Sequence, residues 1–186
     1  MDSICTGRIS VEEFCRLGEA EAFLDRHVEL IDGEMFDLSP ITIPHGAALA
    51  SLMFEVGAAL RVASTGLTGY GPVSTLIDDY NLPLPDLTIA MDSDDMLVNP
   101  REVRLVVEVA VGTLDRDLGL KAALYANAGM PEYWIVDVDA RQIVRFHRPL
   151  GGEYRQRAVS NSGDAIPTVA CEGLVIRTTE LLRRFD

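Results

Sequence analysis

From Val103 to Val111 the chain reads Val-Arg-Leu-Val-Val-Glu-Val-Ala-Val, apolar almost throughout. Such a run fits a strand buried on both faces, and a strand of that kind needs layers above and below it. It is therefore expected at the centre of a sheet flanked by helices. One residue disobeys its surroundings: Glu108 sits among valines, where an uncompensated charge would cost on the order of several kcal/mol. An ion pair, a strand end that reaches solvent, or a metal ion could compensate it.

The segments around this strand carry their own signals. Ser10 followed by Glu13 spells a capping box, opening a short helix with Phe14 and Leu17 on its apolar face. Val28 to Ile31 and Glu34 to Leu38 flank Asp32-Gly33, a pair that favours a tight hairpin turn. From His45 to Arg61, Leu49, Leu52, Met53, Val56 and Leu60 recur at helical spacing. Strands are expected over Gly71 to Ile77, Asp86 to Met91 and Val103 to Val111. A helix then runs from Thr113 to Ala128, with Gly129 as its cap and Pro131 to stop it. Strands over Tyr133 to Val138 and Arg141 to Phe146 follow, then one near Tyr154 to Val159 and a closing helix from Thr178. Tyr133 and Trp134 read as core or dimer packing, and Asp92 to Asp95 as a solvated loop.

This order describes an α/β fold with a mixed sheet. Its 186 residues, 48% hydrophobic and 24% charged, match one ordinary globular domain spanning residues 1–186. No apolar run is expected to reach the roughly 18 residues that a membrane helix needs. The N-terminus has no signal-peptide layout, and the expected location is the cytoplasm. Cys5, Cys15 and Cys171 lack metal or disulfide spacing and read as idle thiols.

Two further residues stand beside Glu108. Asp86 opens the preceding strand after Leu84-Pro85, and if the two strands pair, both acids share one face. Two hard oxygen ligands suit Mg²⁺ or Mn²⁺, which activates water and steadies phosphoryl charge. Lys121 is the sole lysine among 16 basic residues, so a compact ammonium is singled out there. It could orient an attacking water or neutralise phosphate charge; the plainer reading is a surface pair with Asp117.

The strings Pro85-Asp86, Leu105-Val106-Val107-Glu108-Val109, Asp117 with Lys121, and Tyr125 through Asp137 (YANAGMPEYWIVD) together resemble the Uma-two family of proposed restriction endonucleases. Glu29 to Glu34 (ELIDGE), Ser39-Pro40 and His45 fit the same pattern, so the resemblance covers nearly the whole chain. It implies the PD-(D/E)XK nuclease superfamily and a restriction-endonuclease-like mixed β-sheet flanked by helices. It also implies Asp86 and Glu108 as metal carboxylates, Lys121 as the catalytic lysine, and Glu34 and His45 as accessory residues. Where the wider superfamily has lysine two residues after the acid, this chain has Ala110, and the resemblance implies that Lys121 on the next helix takes that role.

The implied activity is metal-dependent hydrolysis of DNA phosphodiester bonds by a homodimer, with Mg²⁺ or Mn²⁺ as cofactor. The net charge of −13 argues the other way, because phosphate backbones are gripped by Lys and Arg. It favours the alternative, a catalytically silent nuclease-fold dimer acting as an interaction or regulatory protein. Arg141, Arg145, Arg148, Arg155 and Arg157 on the late strands are the candidate local basic patch, with Arg141 and Arg145 on one face and Arg148 on the other.

Overall fold

The computed structural model describes residues 7–24, 26–38, 40–161 and 163–178. Helix α1 (Val11–Glu19) opens with the expected reciprocal cap: the Glu13 N–H donates to Ser10 Oγ at 3.2 Å, and the Ser10 N–H donates to Glu13 Oε2 at 2.9 Å. Strands β1 (Val28–Ile31) and β2 (Glu34–Asp37) form an antiparallel hairpin. Its turn residues Asp32 and Gly33 have φ of 54° and 74°. A side chain at position 33 would be strained twice over, because its Cβ would also fall 2.4 Å from Arg8 Cβ.

Helix α2 (Ile43–Ala63) follows, with Thr42 as N-cap and Pro44 in its first turn. It buries Ala48, Leu49, Leu52 and Val56, as their spacing predicts. The helix is 21 residues long and apolar enough, by length and composition, to cross a membrane, which corrects the expectation that no run reaches that length. The reason is local: from Ile43 to Ala63 only Glu55 and Arg61 carry permanent charge.

The main sheet has six strands in the order β3 (Leu67–Tyr70), β4 (Leu87–Met91), β5 (Val103–Ala110), β6 (Glu132–Asp137), β7 (Gln142–Leu150) and β8 (Glu153–Asn161). Only β5 and β6 run parallel, and the chain between them forms α3 (Leu114–Arg116), a π-helical turn (Asp117–Lys121) and α4 (Ala122–Asn127). The strand expected over Gly71 to Ile77 lies earlier, at Leu67–Tyr70. Gly69 lets it pass beneath α2, since a Cβ there would approach Val56 Cγ1 to 3.2 Å. Beyond it the amides of Thr75, Leu76 and Ile77 donate to Pro83, Val98 and Asn81, three separate partners that cannot form a ladder. A small hairpin of β9 (Ala165–Pro167) and β10 (Val175–Arg177), not expected from sequence, closes the α2 side. The closing helix expected from Thr178 lies outside the described residues.

Two cores result. Leu87, Ile89, Leu105, Val107, Trp134 and Ile143 pack with α2, while Val106, Tyr133, Ile135 and Val144 pack with Tyr125 and Met130 on the other face. Tyr133 and Trp134 are thus both core residues, one on each face of the sheet. The late arginines do not form one patch. Arg141 stands in the turn before β7, Arg145 shares a face with Trp134, and Arg157 lies on the opposite face over the Phe146 ring.

Candidate active site

The site grows from the end of one strand pair. Leu87 pairs with Val107 in the antiparallel β4–β5 register, so one step further Asp86 falls beside Glu108, as expected if the strands paired. Asp86 lies just before β4 begins, and its side chain takes over the ladder: Oδ2 accepts the Val109 N–H at 2.7 Å. The same carboxylate meets His45 Nε2 at 3.2 Å, from the first turn of α2. That hydrogen bond raises the imidazole's pKa, against the opposing effect of partial burial.

Glu108 is compensated by an ion pair and a phenol. Its Oε1 accepts from Lys121 Nζ at 2.9 Å and from the Tyr125 hydroxyl at 2.7 Å. Burial still pushes Glu108 up to about 8, with the Lys121 ammonium pulling down and Asp86, Asp117 and Glu29 pushing up. Lys121 is 1% exposed, so the surface pair with Asp117 gives way to a buried arrangement. Its ammonium also lies 3.1 Å from Glu29 Oε2. Burial alone would lower its pKa, but the two carboxylates outweigh this and hold it above the ordinary lysine value.

The π-helical turn explains how Asp117 and Lys121 both come to face inward. The Ala122 N–H reaches back five residues to the Asp117 carbonyl, widening the turn, and the Tyr133 hydroxyl donates to that same carbonyl at 3.1 Å. Asp117 is buried, which raises its pKa, while a 2.8 Å hydrogen bond from Thr113 Oγ1 opposes the rise.

Four residues with no catalytic or metal-binding role in the sequence reading belong here: Glu29, Arg116, Asp117 and Tyr125. Glu29 bore the same signal as Glu108, a lone acid in an apolar strand, and could have been found by the same rule. It is fully buried, accepts the Leu84 N–H at 3.3 Å, and has Arg116 Nη1 at 3.8 Å from its other oxygen. Glu34, expected as an accessory residue, sits elsewhere. It follows the hairpin turn opposite Ile31, is exposed, and does not line the cavity.

Asp86, Glu108, Asp117, Lys121, Arg116 and His45 line a cavity of about 210 Å³. A wider groove of about 560 Å³ lies beside Arg8 and α4, but none of these acids lines it. Among the described residues no three His, Cys, Asp or Glu side chains form a ready-made metal cluster. Asp86 and Glu108 could still hold a hard divalent cation, with water and substrate filling the remaining positions. The charge balance fits, because four carboxylates (Glu29, Asp86, Glu108, Asp117) face two permanent cations (Lys121, Arg116).

Comparison with known proteins agrees with the fold. A crystal structure of "a putative nuclease belonging to DUF820" from Anabaena variabilis ATCC 29413 superposes with a TM-score of 0.70 at 13% identity, covering 94% of this chain and 97% of that one. No curated protein matches the chain significantly in sequence. The Uma2 family model, described as "Putative restriction endonuclease", matches residues 11–179, and the chain belongs to that family.

Proposed function

We propose that this protein is a divalent-metal-dependent phosphodiesterase that hydrolyses DNA, with Asp86 and Glu108 as the ligands of Mg²⁺ or Mn²⁺. The observation that carries this reading is the juxtaposition of two strand-end carboxylates with a buried lysine, 2.9 Å from one of them, at the wall of one cavity. Family membership supports a nuclease, and the structural neighbour's title names one. When bound, the metal supplies an activated water and neutralises phosphoryl charge.

The chain's own residues do the positioning. The Val109 N–H and His45 fix Asp86, while Tyr125 and Lys121 fix Glu108. Lys121 keeps its proton between two carboxylates, so it acts as a hydrogen-bond donor and point charge toward the reacting oxygens, not as a base. The homodimer belongs to this proposal. It is supported by the outer face of α2, where Ile43, Phe54 and Val62 stand exposed.

The test is calorimetric Mg²⁺ and Mn²⁺ titration of the native protein, Asp86→Ala and Glu108→Ala, with plasmid nicking in the same buffers and Lys121→Ala included. Heat should vanish in both acid variants and nicking in all three. A native protein that neither binds metal nor nicks would overturn the reading. The net charge of −13 favours the second reading, a catalytically silent nuclease-fold dimer acting as an interaction or regulatory protein.

A further inference from the structure

We infer that Arg116 is the residue that grips the substrate's phosphate, an inference that rests on the phosphodiesterase reading above. Lys121 already faces two carboxylates, Glu108 at 2.9 Å and Glu29 at 3.1 Å, so the charge it turns toward the reacting oxygens is largely offset. His45 is occupied by Asp86. Arg116 differs from both. Its closest carboxylate contact is Glu29 Oε1 at 3.8 Å, beyond hydrogen-bond reach, and its Nε is buried without a hydrogen-bond partner. Glu29 Oε1, fully buried, is likewise without one.

A guanidinium with an unmet donor beside a cavity is a site prepared for an oxyanion, since leaving a buried donor unpaired costs free energy that a ligand oxygen restores. Arginine's planar fork suits the two non-bridging oxygens of a phosphodiester, where an ammonium would act only as a point charge. Position supports the assignment. Arg116 ends α3 directly before the π-helical turn that carries Asp117 and Lys121, and its side chain lines the cavity they share with Asp86 and Glu108. Its side chain is 27% exposed while its Nε is enclosed, so an incoming anion can reach the guanidinium but meets the Nε donor only with a small shift of the side chain. The ligand class is a phosphate monoanion carried on a nucleic-acid backbone, and the loose Glu29 contact keeps the guanidinium in place until that anion arrives.

The experiment uses the full chain and inorganic phosphate, with and without Mg²⁺, followed through arginine Nε–Hε resonances. Plasmid nicking is measured in parallel on the native protein, Arg116→Gln, Arg116→Lys and the control Arg61→Gln. Phosphate should shift the Arg116 Nε–Hε signal. Arg116→Gln should weaken phosphate binding and raise KM for DNA roughly tenfold, with Arg116→Lys recovering only part and Arg61→Gln behaving as native. If phosphate leaves that signal unmoved and Arg116→Gln nicks with native KM, the inference falls while the phosphodiesterase reading stands. Phosphate bound at Arg116 by a native protein that never nicks would leave the anion site and remove the phosphodiesterase. Neither binding nor nicking overturns both. Should Arg116→Gln fail to fold, the native resonance and Arg116→Lys decide.

Discussion

Replacing Lys121 by methionine tests the central electrostatic claim, because it keeps the buried volume and removes the charge. In the native protein the ammonium lies within 3.1 Å of two carboxylates whose side chains are 0% and 5% exposed. Without it, Glu108 keeps only the Tyr125 hydroxyl and Glu29 keeps the Leu84 amide and a distant guanidinium. Breaking a buried pair in this way costs roughly 3–5 kcal/mol. For a domain of this length that is a fall in melting temperature of roughly 10 °C. The pH dependence fixes the cause. Burial already raises Glu108 from 4.5 to about 8, so the folded state holds that proton more tightly than the unfolded chain. The stability this contributes is fully present below the ordinary carboxylate range and is lost as pH rises toward 8. Lys121→Met removes the cation that pulls Glu108 down and so raises it further, and its penalty should be small near pH 5 and large near pH 8 in metal-free buffer. Adding Glu29→Gln should return part of the loss by removing one orphaned charge. Calorimetric or circular-dichroism melts measure all of this. A Lys121→Met protein melting within about 2 °C of native near pH 8 would refute the buried-pair account. An equal penalty at both pH values would assign the loss to packing.

Tyr125→Phe keeps the ring in the core and removes only its bond to Glu108; stability should fall by about 1 kcal/mol and Mg²⁺ affinity by roughly tenfold, read by thermal melt and calorimetric titration. Burial pushes the Cys171 thiol up to about 11, so iodoacetamide near pH 8 should label exposed Cys15 well before Cys171, as peptide mass spectrometry would report. Phe54, 70% exposed on α2, should govern self-association if the homodimer forms there. Phe54→Asp should then shift the sedimentation coefficient to that of a monomer, and an unchanged dimer would place the interface elsewhere.

Where sequence rules met strong local physics, the structure agrees with them. The Ser10–Glu13 cap, the Asp32-Gly33 turn, the α2 stripe and the doubly buried β5 each depend on contacts within a few residues or on a plain apolar pattern. The Asp86–Glu108 pairing was legible because strand alternation and two strand starts are enough to put them side by side. What escaped depended on distant contacts. Glu29 stands out as a lone acid in an apolar strand, but its partner does not: it comes to Lys121 only because β1 docks beside the crossover, and a residue 92 positions away leaves no mark in local spacing. The π-helical turn is invisible to helical periodicity, since Asp117 and Lys121 read as a surface pair on any regular helix. Glu34 shows the converse. It shares a hairpin face with Glu29, but the turn carries it into solvent.

The contest between an acidic chain and an acidic substrate can be settled by how affinity responds to salt and to metal. In a protein of net charge −13, with its late arginines divided between a turn and two sheet faces, the described residues form no broad basic surface with which to displace counterions. DNA binding would then rest on the metal at Asp86 and Glu108 and on Arg116. Because each neutralised phosphate adds about −0.9 to the slope of log affinity against log salt, one or two contacts imply a slope of roughly −1 to −2. Affinity should instead rise steeply with Mg²⁺, or with Ca²⁺ in binding assays without turnover. Fluorescence anisotropy of a labelled duplex across both titrations separates the cases. A steep salt slope with little metal dependence would mean that a basic surface outside this cavity grips the DNA, and the site's role in binding would have to be abandoned.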